Sequence, residues 1–172
     1  MSTKNYLFKL IIVGSAAVGK TSLLERYVNN RFLEDYKLTI GVNFMSKILE
    51  ESDFKARLVI WDIGGQKRFE VMRTEFYKGA SGAVLVFDLT RMETYTAIEA
   101  WLNEVRQFAG EIPFILIGNK ADLIETIGRV IDKQYAEEFA QRENGIYIET
   151  SAKTGTNVED AFTAFTRLII KS

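Results

Sequence analysis

The 172-residue chain has no cysteine and no histidine. Disulfides and thiolate metal sites are therefore excluded, and the imidazole that most often serves as transition-metal ligand or general base is missing as well. Any metal ion must sit on oxygen. Proline occurs once, at Pro113, at the mouth of an apolar run. Long apolar runs are lacking too: stretches such as residues 10–13 and 114–117 fall far short of the roughly 20 residues that span a bilayer. Nor is there an excess of one charge. The 22 Lys and Arg against 23 Asp and Glu, a formal net charge of −1, are spread along the chain, so no basic face points to nucleic acid and no block of like charge to a tail. The start, Met1-Ser2-Thr3-Lys4, has no apolar stretch of the signal-peptide kind, and Ser2 in place of glycine rules out myristoylation there. A soluble, cytoplasmic, monomeric protein without a nucleic-acid partner is expected. At this length, with 47% hydrophobic residues, one domain over residues 1–172 can bury its own core.

What is present is an alternation of short β-branched runs with helical periods, the pattern of a parallel sheet covered by helices. Residues 8–13, 58–61, 83–87, 114–117 and 146–148 read as buried strands, and residues 42–50 as a half-exposed strand turning directly into the next, so that this pair is antiparallel. Ile98, Trp101, Leu102, Val105, Phe108 and Ala109 follow the i, i+3, i+4, i+7 spacing of a one-faced helix. Val158, Ala161, Phe162, Phe165, Leu168 and Ile169 repeat it. Thr156 with Glu159 three residues on predicts a capping box for that last helix, and Gly110 and Gly145 stand where earlier helices should stop.

Gly14-Ser15-Ala16-Ala17-Val18-Gly19-Lys20-Thr21 fits G-x-x-x-x-G-K-[ST] in the required context, after a buried strand and before an apolar helix carrying Leu23, Leu24, Tyr27 and Val28. The glycines let the backbone curl so that successive N–H groups and a helix N-terminus face a β-phosphate. Lys20 then reaches β and γ oxygens, and Thr21 offers its hydroxyl to Mg²⁺. A chance match in a chain of this length is on the order of 1%.

Asn119-Lys120-Ala121-Asp122 follows the strand at 114–117 and so emerges at the carboxyl edge of the sheet, where ligands bind in such folds. A carboxylate at Asp122 can accept two parallel hydrogen bonds from guanine N1–H and the 2-amino group; adenine has a donor at neither place. Ser151-Ala152-Lys153 follows the last strand, where the Ala152 N–H can meet guanine O6 and the Lys153 stem can lie along the ring. Asp62-Ile63-Gly64-Gly65-Gln66 ends the third strand with an acid for the magnesium shell, a glycine N–H for the γ-phosphate, and a glutamine.

With these motifs in this order, residues 6–170 resemble the Ras superfamily of small GTPases, most closely the Rab branch. The resemblance implies an α/β phosphate-loop NTPase fold, the G domain: a six-stranded, mostly parallel sheet with one antiparallel edge strand and about five surrounding helices. It implies that Thr39 closes over Mg²⁺ and the γ-phosphate in switch I, that residues 62–77 form switch II, that both order with GTP, and that Phe32 stacks on guanine. The implied nucleotide set is the eight loop residues with Ser22, Phe32, Tyr36, Thr39, Gly65, Asn119, Lys120, Asp122, Ser151, Ala152 and Lys153. Thr21, Thr39 and Asp62, the last through water, would hold the metal, and Gln66, Lys20 and Thr39 would serve hydrolysis. Rab-like features are Ile40-Gly41-Val42-Asn43-Phe44, Trp61, Gln66-Lys67-Arg68-Phe69 and Phe76-Tyr77-Lys78-Gly79-Ala80. Effectors would read Phe44, Trp61 and Tyr77; the alternative is that these three fill the core under the switches. An activating protein and an exchange factor are implied partners.

The chain departs from the Rab pattern in three places. Asn43 replaces the usual acid. Ile63-Gly64 stands for the usual Thr-Ala, giving an Arf-like Gly-Gly-Gln. The sequence ends at Lys171-Ser172 without the terminal cysteines of prenylation, so peripheral membrane attachment would need a lipidated tail.

The expected reaction is in-line attack of water on the γ-phosphorus, slow without a partner because switch I has no arginine before Thr39 and Ala16 sits inside the loop. Two rival readings share the motif: a phosphate-loop ATPase, which has no use for Asp122, and a scaffold that holds guanine nucleotide without hydrolysing it.

Overall fold

The computed structural model describes residues 2–34 and 38–172. Six strands, β1 (Lys4–Val13), β2 (Val42–Glu50), β3 (Phe54–Ile63), β4 (Gly82–Asp88), β5 (Phe114–Asn119) and β6 (Ile146–Glu149), form one sheet in the order β2-β3-β1-β4-β5-β6. β2 runs antiparallel to β3 at one edge, and every other neighbouring pair is parallel. β4 and β5, covered on both faces, are buried along their whole lengths and accordingly read as unbroken apolar runs. β2 has one buried residue, Leu49.

Helices α1 (Lys20–Asn29), α4 (Ile98–Ala109), α6 (Lys133–Arg142) and α7 (Val158–Lys171) span ten residues or more, while α2 (Glu70–Thr74), α3 (Met92–Thr96) and α5 (Ile124–Ile127) are about one turn each. The two faces of the sheet sort the side chains by parity. Leu10 and Ile12 of β1 join a core with Leu24 of α1 and Phe165 of α7; Ile11 and Val13 join the other, with Leu102 of α4 and Ala136 of α6. Tyr27 stacks on Phe162 at 4.0 Å between ring centroids, locking α1 to α7.

β1 and β3 begin four residues earlier than the apolar pattern predicts. Their first halves pair only with each other and β2, in the register Lys4↔Phe54, and β4 joins β1 only from Leu10 on. One side of that extension faces water, so Asn5, Lys55 and Arg57 on it, with Lys4 at the open end of the strand, dilute the apolar signal. The predicted capping box does not form. Asn157, in left-handed conformation at φ 61, caps α7 without a side-chain hydrogen bond. Thr156 instead pairs its hydroxyl with Thr154, and Glu159 bridges to Lys47 at 2.7 Å. Gly110 does end α4. No helix among the described residues is long and apolar enough to cross a membrane. The loops after β1, β3, β4, β5 and β6 share the carboxyl edge of the sheet, where an α/β fold opens its crevice.

Candidate functional site

Residues 14–19 bridge the end of β1 and the start of α1 in a tight curl. Gly19 adopts φ +97, and a Cβ there would collide with the Asn119 carboxamide, so glycine is needed for both conformation and approach. Five consecutive carbonyls on the curl accept hydrogen bonds from side chains. Lys20 Nζ donates to those of Gly14 and Ser15, each at 2.9 Å. Arg91, Lys120 and Asn119 donate to those of Ala16 at 3.5 Å, Ala17 at 2.8 Å and Val18 at 2.9 Å. α1 has no side-chain cap at its N-terminus. Its first N–H groups are therefore left for something outside the fold. Lys20 itself is buried, and burial pulls its pKa down to about 8, opposed by the nearby Asp62 charge and reinforced by Arg73. A buried ammonium with no carboxylate at contact among the described residues is a site prepared for an anion.

Three oxygens meet beside Lys20. Thr21 Oγ1 lies 2.6 Å from Thr39 Oγ1 and donates to Asp62 Oδ2 at 2.5 Å; Thr39 Oγ1 is 3.4 Å from the same carboxylate oxygen. Asp62 is buried, and burial raises its pKa against the pull of Thr21, Lys20 and Thr39. Its Oδ1 is buried with no hydrogen-bond partner among the described residues, a costly condition unless a ligand or its water completes it. No group of three or more Asp or Glu placed to hold a metal ion is present among the described residues. Two hydroxyls and one carboxylate fit a hard, oxygen-seeking ion of the Mg²⁺ kind that draws its remaining ligands from water and phosphate.

Two adjoining cavities of about 580 Å³ each run along the curl. The first is lined by Ala16, Ala17, Gly19, Lys20, Thr21, Ser22, Thr39, Gly65 and Gln66. The second is lined by Phe32, Asn119, Lys120, Asp122, Ala152 and Lys153, and shares Ala17, Gly19 and Ser22 with the first. In the second, Ser151 Oγ donates to Asp122 Oδ1 at 2.7 Å and fixes that carboxyl. Thr150 Oγ1 donates to Asn119 Oδ1 at 3.0 Å, while the Ala152 N–H reaches the same oxygen only at 3.4 Å. The side chain of Val18 lies in the core, so that residue offers the cleft its backbone alone. Tyr36 lies outside the described residues.

Gln66 reaches the first cavity, but its Oε1 accepts from Arg68 Nε at 2.7 Å, and Arg68 lies 4.8 Å over the Phe69 ring. The expected aromatic trio needs one correction. Phe44 is 61% exposed and 5.3 Å from Trp61, but Tyr77 is 0% exposed and its hydroxyl donates to Glu104 at 2.6 Å. Phe76, 5.4 Å from Trp61, completes the cluster. In the turn after α2, closed by Phe76 N–H to Arg73 O, Phe76 is half-buried while Tyr77 enters the core.

Sequence reasoning missed the groups that hold these loops. Asp88 ends β4, buried, and pairs with Lys120 Nζ at 3.1 Å. Arg26 donates to the carbonyls of Ala152 at 2.8 Å and Lys153 at 2.6 Å. Arg91 was missed likewise. Asp88 had a signal, since it stands at the carboxyl end of an apolar strand; Arg26 and Arg91 had none.

A six-stranded sheet of this order, with an antiparallel edge and a curled loop at the end of β1, defines a Ras-type G domain. The chain belongs to the Ras family, a family of small GTPases, whose profile matches residues 9–171, and within it the chain is Rab-like. It is 42% identical over 177 residues to Ras-related protein RABG3b of Arabidopsis thaliana, covering 99% of this chain and 87% of that protein. It is 43% identical to Ras-related protein RABA4a of the same plant, over 92% of this chain and 70% of that one. Ras-related protein Rab-4B of Homo sapiens is 42% identical over 98% of this chain and 78% of its own length.

Proposed function

We propose that the chain is a molecular switch that binds GTP and GDP with Mg²⁺ and slowly hydrolyses GTP. The observation that carries this reading is the meeting of Thr21, Thr39 and Asp62 oxygens beside buried Lys20, at one end of a cleft whose other end holds Asp122.

Lys20 and the N–H groups of residues 15–19 and of α1 would hold the β- and γ-phosphates. Thr21 and Thr39 hydroxyls, with Asp62 through water, would hold the ion, which when bound offsets the phosphate charge. Asp122, oriented by Ser151, would accept from guanine, with Ala152 meeting O6, and Phe32 and Lys153 flanking the ring. Gln66 would orient the attacking water; the water oxygen would bond the γ-phosphorus, GDP would leave with the bridging electron pair, and the water's proton would pass to the released phosphate. No arginine stands just before Thr39, so turnover without a partner is slow. An activating protein, an exchange factor and effectors are the partners, the effectors reading Phe44, Trp61 and Phe76 with the switches. Likeness to Rab-named relatives supports a role in membrane or vesicle trafficking, with any membrane attachment peripheral.

Calorimetric titration with Mg²⁺ and either GDP or ADP tests the base. A preference for GDP of roughly 10³ or more is expected, because adenine leaves the Asp122 carboxylate unpaired. Equal affinities would return the site to a general phosphate-loop ATPase. Phosphate release in a single turnover tests the enzyme: Gln66→Leu should keep GDP affinity and suppress release. If the unaltered chain releases no phosphate, even with candidate activators, it is a switch without catalysis.

A further inference from the structure

Arg26 lines neither cavity, yet its guanidinium holds the loop that closes the second. Half-buried on α1, it pairs with no carboxylate among the described residues and donates instead to uncharged oxygens. Nε reaches the Ala152 carbonyl at 2.8 Å, Nη2 the Lys153 carbonyl at 2.6 Å, and Nη1 the Asn30 side-chain oxygen at 3.3 Å. The first two bonds are the tines of one planar fork, which an ammonium cannot reproduce. They fall on the peptide groups either side of Lys153. Because each peptide is planar, the fork fixes the backbone angles of Lys153 and the direction in which its stem leaves the loop.

The second of these peptides is held at its other end as well. Its N–H, that of Thr154, donates to Ser151 Oγ at 3.1 Å, and the same hydroxyl gives its single proton to Asp122 Oδ1 at 2.7 Å. A directed chain therefore runs from a cation to an anion, from the Arg26 guanidinium through the peptide joining Lys153 to Thr154 and the Ser151 hydroxyl to the Asp122 carboxylate. Every member donates to the next, and in such a chain each bond polarises its neighbour. Arg26 also belongs to the helix whose first turn carries Lys20 and Thr21, so the chain ties the phosphate end of the cleft to the base end. We infer that Arg26 is a positioning residue for guanine recognition, acting through Ser151 on the aim of the Asp122 carboxylate. This rests on the proposed reading of the second cavity as a guanine site.

The test compares GDP with inosine diphosphate, whose base keeps N1–H but lacks the 2-amino group, both with Mg²⁺ and the full chain. Lys153 covers both rings alike, so the ratio of the two affinities isolates Asp122. In the unaltered chain the preference for GDP is expected at about ten- to hundredfold, the weight of one hydrogen bond to a charged group. Arg26→Met should lower that preference at least about threefold and speed GDP dissociation, while single-turnover hydrolysis of bound GTP stays within about twofold. Arg26→Lys, which keeps the charge but not the fork, should fall with Arg26→Met. In a Ser151→Ala background, Arg26→Met should cost the preference nothing further. Loss of GDP and inosine diphosphate by the same factor would overturn the proposal, as would full recovery in Arg26→Lys or a further fall on the Ser151→Ala background. If the unaltered chain does not prefer GDP to ADP, the reading of the cleft fails and the inference with it. If that preference stands while Arg26→Met leaves the inosine ratio unmoved, the inference alone fails.

Discussion

Gln66 is held by a neighbour two residues away. For its carboxamide to orient a water, Oε1 must accept a hydrogen bond from that water, but the oxygen is turned toward Arg68 and accepts from its Nε at 2.7 Å. The bond is exposed, so releasing it costs on the order of 0.5–1.5 kcal/mol. That corresponds to about a two- to tenfold gain in rate if Gln66 is otherwise free to turn. Arg68→Ala is therefore expected to speed intrinsic single-turnover hydrolysis by about that factor without altering GDP affinity. Combining it with Gln66→Leu should erase the gain. A slower or unchanged rate would mean that Arg68 does not restrain the glutamine. The sequence displayed Gln66 and Arg68 but not this bond, because spacing along an irregular turn does not say which way a side chain points. The family resemblance put Tyr77 in the aromatic cluster where half-buried Phe76 stands, because two adjacent aromatics leave open which of them faces out. Asp122 and Lys20 were legible because fixed spacing behind strands dictates where they emerge. Asp88, Arg26 and Arg91 act on backbone carbonyls, which no side-chain motif announces.

The segment carrying Gln66 is anchored to α4 through one ion pair. Arg73 gives Glu104 two hydrogen bonds, at 3.0 and 2.7 Å, with side chains only 7% and 14% exposed. It also lies 4.5 Å over the Trp101 ring and donates to the Gln66 carbonyl at 3.2 Å. Tyr77 donates to the same carboxylate. Removing one member of a buried pair strands the other, typically at about 3–5 kcal/mol, whereas replacing both by apolar groups is often nearly neutral. Arg73→Met should therefore lower stability to denaturant by about that amount and loosen residues 66–74 in hydrogen exchange. Arg73→Met with Glu104→Leu and Tyr77→Phe, which leaves no buried hydroxyl unpaired, should recover most of the stability but not the grip on the Gln66 carbonyl. Equal losses in the single and triple variants would mean that packing against Trp101, and not the pair, holds the segment. Such short elements were hidden in the sequence. α2, α3 and α5 are each about one turn, too short for a 3.6-residue period to declare itself. The long apolar stripes of α4 and α7 and the buried strands declared themselves readily.

The carboxyl edge of the sheet behaves as one connected rim. Asn119 at the end of β5 and Lys120 after it hold the loop after β1, Asp88 at the end of β4 holds Lys120, Thr150 after β6 donates to Asn119, and Arg26 of α1 holds the loop of Ala152 and Lys153. Both cores lie directly beneath this rim. A ligand that fills the cleft touches loops from most of the sheet, so it should stabilise the whole fold and not one loop. Binding to the folded state alone adds RT ln(1 + [L]/Kd), about 4.1 kcal/mol at a thousandfold excess over Kd. For a chain of this size each kcal/mol moves the midpoint by roughly 2–4 °C. Mg²⁺ with GDP at that excess should thus raise Tm by about 8–16 °C, whereas ADP at the same concentration should shift it little. Asp122→Ala should abolish most of the GDP shift while leaving the unliganded Tm nearly unchanged, since among the described residues that half-buried side chain bonds only Ser151. An equal shift with ADP would show that the phosphates alone carry the stabilisation. A GDP shift that survives Asp122→Ala would place the recognition of guanine elsewhere in the cleft.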